Sequence, residues 1–199
     1  MKRETKREQT RERLLEATRS LILEKGCDHL TLNDIMERAG LSKGGIFHHV
    51  KSKDELLIRI LEERAEETNR RFNAAKEREK SFAAPFRSIA DSLPELENPD
   101  DAGNRVFVHL LGRISRPEVR GALRQFYEQT LRLSKQWIAS GQEAGVIPAS
   151  VDADKSAELF VLLSLGLRVR GMLLSGAGGN AFDAEDFKRL IERWLQPEP

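Results

Sequence analysis

The sequence predicts an all-α protein of about nine helices: an N-terminal three-helix helix-turn-helix domain followed by a larger helical domain. Three observations carry this. Apolar residues recur at helical spacing, as in Leu14, Ala17, Leu21 and Ile22. No segment alternates apolar and polar residues as a half-buried strand would. Glycines, prolines and short capping side chains punctuate the chain where helices begin and end.

The first helix is expected through Ile22, with a stop at Gly26. A short second helix starts after Thr31, a side chain suited to capping, turns Ile35, Met36 and Ala39 inward and ends at Gly40. Ser42 opens a third helix that runs to about Val50. Ser52 caps a fourth, reaching towards Lys80, with Asp54 and Glu55 in the first turn where the helix dipole favours acid. The half from Glu62 to Lys80 is mostly polar and reads as a strut. Further helices are expected at 82–92, 102–115, 117–142, 152–175 and 183–195. Pro94 to Gly103 reads as a loop from its prolines and acids. The expected domains are residues 1–51 and 52–199.

Composition narrows the function classes. With 199 residues, 39% of them hydrophobic, the chain has enough apolar surface for a packed core. Cys27 is the single cysteine, which excludes an internal disulfide framework and a thiolate-rich zinc site. Met1 to Arg13 is densely charged and has no apolar stretch. The most apolar segment, Leu159 to Leu174, contains Arg168 and Arg170 and is shorter than the ~20 residues of a membrane span. The expectation is a cytoplasmic protein with no membrane partner. Residues 1–53 carry 12 Lys and Arg against 8 Asp and Glu, and the remainder 21 against 24. A basic N-terminal segment on a near-neutral body points towards a polyanion.

Thr31 to Val50 carries the sharpest signal. An eight-residue helix, a tight turn at Gly40–Leu41 and a second short helix follow with no slack, and Ile35, Ala39, Leu41 and Ile46 are spaced to pack the two together. This is the logic of a helix-turn-helix, whose second helix enters the major groove. Ser42, Lys43 and Gly44 place a cap, a cation and a backbone without a side chain at the start of that helix. Such a terminus attracts phosphate through its free amides. His48 and His49 can donate to phosphates, and Lys53 extends the positive edge.

Residues 10–57 resemble the DNA-binding domain of TetR-type transcriptional repressors. The resemblance rests on Thr31, Asp34-Ile35, Ala39-Gly40, Ser42-Lys43-Gly44, His48-His49 and Lys51-Ser-Lys-Asp-Glu-Leu56. It implies DNA-binding roles for Thr31, Ser42, Lys43, Gly44, Gly45, Phe47, His48, His49 and Lys53. Three positions depart from the family pattern. Phe47 stands where a tyrosine usually bonds a phosphate, Gly45 where a threonine or serine often contacts DNA, and Val50 where a phenylalanine is frequent. One such neutral hydrogen bond is worth roughly 0.5–1.5 kcal/mol, so its loss trims affinity.

The resemblance further implies a homodimer on a pseudo-palindromic double-stranded DNA operator, a small-molecule effector in the helical core, and release from DNA when that effector shifts the long helix. It assigns the dimer interface to the helix from Asp152 and to the last helix. The stripe Ala157, Val161, Ser164, Arg168 and Gly171 is small enough for close helix approach. Candidate effector-site residues are Phe86, Phe107, His109, Phe126, Trp137 and Arg168, chosen as aromatic or polar groups on otherwise apolar helices. Arg168, in an apolar helix, needs a partner within the chain, across the dimer or on a ligand.

No phosphate-binding glycine loop, nucleophile elbow or paired-histidine metal motif is present, so neither catalysis nor a cofactor is expected. Adjacent His48 and His49 point about 100° apart on a helix and do not chelate one ion. Two other readings stand beside the repressor. One is a DNA-binding regulator without a small-molecule effector. The other is an all-helical binding module or enzyme with an incidental helix-turn-helix.

Overall fold

A computed structural model describes residues 2–42, 44, 46, 49–78, 89–174 and 181–195, and every regular element among them is helical. In chain order these are α1 (Lys2–His29), α2 (Leu32–Ala39), α3 (Lys53–Arg78), a 3-10 turn (Leu93–Glu97), α4 (Ala102–Leu111), α5 (Pro117–Glu143), α6 (Ala153–Leu173) and α7 (Ala184–Leu195). The expected helix at 82–92 falls largely outside the described residues, as do positions 43, 45, 47 and 48 of the third helix.

By packing, the chain forms two compact units. Residues 1–64 and 100–123 make the first; residues 65–99 and 124–199 make the second.

In the first unit, α1 begins far earlier than Leu14, taking in the charged N-terminal stretch. Its helical geometry breaks at Gly26 (φ 79°, ψ 167°), a conformation other residues rarely adopt. Cys27 follows that kink and is buried, which pushes its thiol up to about 11. Leu14, Leu15, Leu21 and Ile22 are buried with Ile35 of α2, Leu56 and Leu57 of α3, and Val106 and Leu110 of α4. Each such side chain contributes about 1.5–3 kcal/mol through burial. Arg105 of α4 donates to the Ile22 and Leu23 carbonyls of α1, both at 3.2 Å. Asp54, buried at the start of α3, is met by the guanidiniums of Arg113 and Arg116.

In the second unit, the 3-10 turn corrects the expected loop. Leu93 and Leu96 are buried against Leu167 and Phe187, so this segment is a helical turn that gives two side chains to the core while Pro94 stays exposed. Phe187 of α7 stacks on Phe160 of α6 with centroids 5.7 Å apart. The polar strut is also corrected. Phe72 of α3 is buried and stacks on Trp137 of α5 at 5.5 Å, while Asn69 accepts from the Trp137 indole at 3.1 Å. One aromatic residue in a charged helix is enough to pin it.

The small stripe of α6 faces inward. Ala157, Val161, Ser164 and Arg168 are all buried within the chain. A Cβ on Gly171 would lie 2.3 Å from the Glu97 carbonyl oxygen, so this stripe lets α6 approach the 3-10 turn. Leu162 and Leu173 point outward instead, 56% and 75% exposed, with Gly166 between them.

Candidate nucleic-acid interface

Thr31 and Asp34 form a reciprocal capping box at the start of α2. The Thr31 hydroxyl accepts from the Asp34 amide at 3.2 Å, and the Asp34 carboxylate accepts from the Thr31 amide at 2.8 Å. Gly40 closes α2 in the left-handed conformation (φ 64°), its amide donating back to Glu37. A new helical turn opens at once, with the Ile46 amide donating to Ser42 at 3.1 Å and the Val50 amide to Ile46 at 3.0 Å. Ile35 and Ile46 are fully buried and hold the two segments together.

Ion pairs fasten this motif to α1. Arg38 grips Glu24 with two nitrogens at 2.6 and 2.7 Å, and Lys25 reaches Asp34 at 2.6 Å. The Arg38 and Ser20 hydrogen bonds hold the Glu24 carboxyl down to about 2, and those from Lys25 and Thr31 do the same for Asp34. Arg13 donates to the Ala39 carbonyl at 3.0 Å, tying the end of α2.

Of the residues given DNA-binding roles, Thr31, Ser42 and Gly44 are exposed on one continuous segment. A Cβ on Gly44 would meet nothing within 4 Å, so its lack of a side chain answers no packing need inside this chain. His49 is half-buried, and its carbonyl accepts from Arg59 at 3.3 Å. Lys43, Gly45, Phe47 and His48 lie outside the described residues. Lys53 is held by its own chain: its ammonium donates to the Cys27 carbonyl at 2.9 Å and approaches that of Asp28 at 3.5 Å.

Folding adds residues that sequence spacing did not mark. Arg7 and Arg11 of α1, with Arg59 of α3, border one concavity beside His49, shared with Glu8. Their separation of some fifty positions hides the grouping, and only the basic excess of residues 1–53 hinted at it.

The described effector-site candidates fall in both units. Phe107 and His109 lie on α4 in the first unit. His109 Nδ1 stands 3.4 Å from the Asp28 carboxylate, its Nε2 is buried without a partner among the described residues, and burial lowers its pKa. In the second unit, the Arg168 guanidinium lies over the Phe126 ring at 5.9 Å, a cation–π contact supplied by its own chain. Phe86 lies outside the described residues. Of the described candidates, Trp137 borders a mostly apolar cavity of about 330 Å3 in the second unit. Among the described residues no group of His, Cys, Asp and Glu could hold a metal ion, and no helix is long and apolar enough to cross a membrane.

A capped helix, a left-handed glycine turn and a second helix packed through two buried isoleucines define a helix-turn-helix protein with a separate helical unit. Residues 14–60 match the family model of bacterial regulatory proteins, tetR family. It is 28% identical over 149 residues to the uncharacterized HTH-type transcriptional regulator YfiR of Bacillus subtilis (strain 168), covering 70% of this chain and 71% of that one. It is 26% identical to the HTH-type transcriptional regulator TtgR of Pseudomonas putida, covering 98% and 93%. A TetR transcription regulator from Haloarcula marismortui shares the fold with a TM-score of 0.71 at 20% identity, over 95% and 97% of the two chains. The regulator FadR from Bacillus subtilis, solved in complex with stearoyl-CoA, shares it with a TM-score of 0.64 at 15% identity, over 94% and 99%.

Proposed function

We propose that this protein is a homodimeric, ligand-responsive transcriptional repressor that reads a pseudo-palindromic operator through residues 31–53 and leaves DNA when a small molecule binds its second unit. The observation that carries the reading is the exposed row Thr31, Ser42 and Gly44 on a motif whose other face is locked to α1 by Arg38, Lys25 and Ile35. Fixing the motif from behind presents the second helix with little conformational cost on docking. Arg7 beside His49 adds a cation suited to a phosphate, while Arg11 and Arg59 on the same concavity are paired with Glu63 and Glu55; phosphates set register while base edges choose sequence.

The cavity in the second unit supports an effector-controlled regulator over one without an effector, and FadR gives a case of a small molecule held in this fold. The outward apolar row on α6, with Leu190 and Trp194 exposed on α7, supports a self-interface on these two helices. Two-fold symmetry would place two reading helices on successive major grooves. Release by a factor of ten needs about 1.4 kcal/mol of preference by the effector for the DNA-incompetent state.

Fluorescence anisotropy with the duplex upstream of its own gene, across salt concentrations and against a scrambled duplex, tests the reading. Salt-dependent binding with preference for the native duplex is the expected result. Equal, weak binding to both, and no enriched sequence in a selection from random duplexes, would overturn it.

A further inference from the structure

Trp137 and Trp194, the two tryptophans of the chain, stand on the wall of one cavity of about 330 Å3. Ile138 and Ile147 line it from the end of α5 and the turn beyond, Phe160 from α6 and Ile191 from α7. Small-molecule sites start at about 300 Å3, so the space suits a compact ligand.

Apart from Glu192, the polar groups on this wall are engaged within the chain. The Trp137 indole donates to Asn69 at 3.1 Å and the Trp194 indole to the Ser156 hydroxyl at 2.7 Å. The Ser156 and Ser134 hydroxyls donate to the carbonyls of Asp152 and Thr130, at 2.7 and 2.9 Å. The Lys188 ammonium lies 3.6 Å from the Asp91 carboxylate. Glu192, the other ionisable side chain on the wall, is exposed and would repel an anion. An anionic ligand would lose water here beside Glu192 without gaining an idle cation, whereas a flat apolar ring gains contact with two indoles and a phenyl group.

We infer that this cavity binds a ring-bearing apolar molecule without negative charge between Trp137 and Trp194. This rests on the reading that the second unit takes an effector, and neither Phe126 nor Arg168 lies on the wall. Trp137 also stacks on Phe72, so a molecule touching its indole touches the side chain that packs the later half of α3. The cavity is thereby one side chain removed from the later half of α3.

The test uses N-phenyl-1-naphthylamine, which is uncharged, and 8-anilinonaphthalene-1-sulfonate, which adds a sulfonate to the same ring system. Each is titrated into the full-length protein while tryptophan quenching and probe emission are followed. Saturation at one neutral probe per chain is expected, with the sulfonate at least tenfold weaker. Ala90→Phe and Val146→Phe, both on the wall, should each weaken the neutral probe at least tenfold while melting as cooperatively as the parent; either suffices if the other does not fold. Equal affinity for the two probes, or undiminished binding in a folded wall variant, overturns the assignment. DNA anisotropy on the same samples is read separately. Lost probe binding with intact DNA binding removes the cavity assignment alone, whereas saturable probe binding without DNA binding removes the regulatory reading and leaves the cavity.

Discussion

The Lys53 ammonium donates to the Cys27 carbonyl at 2.9 Å, joining the first turn of α3 to the kinked end of α1. A cation on the last carbonyls of a helix satisfies orphan acceptors and suits the dipole. Lys53→Met should therefore lower stability by about 1 kcal/mol in a urea melt, with little change in the salt dependence of DNA binding. An unchanged melt with a salt slope reduced by about one would reassign Lys53 to a phosphate.

Lys43 and Gly44 should behave in the opposite way. Lys43→Ala is expected to weaken binding to all duplexes and flatten the salt slope by about one. Gly44→Val meets no neighbour in the free protein, so it should melt within a few degrees of the parent yet bind DNA poorly, because a side chain would keep the backbone off the duplex. A folding collapse in Gly44→Val would mark the glycine as structural.

Acid should loosen the clamp between α1 and α2. Asp34 falls from 3.8 to about 2 and Glu24 from 4.5 to about 2 in the folded protein. The unfolded chain takes up these protons at higher pH than the folded one, so their stabilisation is complete above the ordinary carboxylate range and lost as pH falls towards 2. Thermal melts from pH 6 to pH 2.5 should show this decline, and Asp34→Asn with Glu24→Gln should flatten it. A pH profile unaltered by the two substitutions would contradict the clamp. Thr31→Ala, which removes the other half of the capping box, should cost about 1 kcal/mol at neutral pH.

Gly171→Ala tests the approach of α6 to the 3-10 turn. Its new methyl would overlap the Glu97 backbone, which cannot swing aside as a side-chain tip can. A loss of about 1–3 kcal/mol in urea denaturation is expected; no loss would mean that the 3-10 turn moves freely.

Leu162→Glu addresses the self-interface. The side chain is 56% exposed in the single chain, so the substitution should leave the monomer's melt intact. Sedimentation should show a shift from dimer to monomer, and affinity for a two-half-site duplex should fall. A dimer of unchanged strength would move the interface off this row.

Local chemistry made the helix-turn-helix readable. Thr31, Gly40 and Ser42 act on backbone groups within a few residues of themselves, and Ile35 and Ile46 sit at spacings that only an inward face explains. Those signals hold whatever the rest of the chain does. The same short range let the boundaries of α2, α5, α6 and α7 be read within about two residues.

What required the tertiary structure was partnership between distant residues. Lys53 reads as a free cation until Cys27 is folded against it, and Arg168 reads as unpaired until Phe126 comes beneath it. The α6 stripe of small residues predicts close approach without saying to what, and the 3-10 turn at Glu97 supplies the answer. Phe72 and Trp137 are 65 positions apart, and nothing in their spacing foretells a stack. By itself the sequence determined that this is a helical chain with a helix-turn-helix near its N-terminus, because periodicity and capping are local. The tertiary structure alone decided which polar groups are already engaged and where a cavity remains, because both depend on chain segments meeting from far apart in sequence.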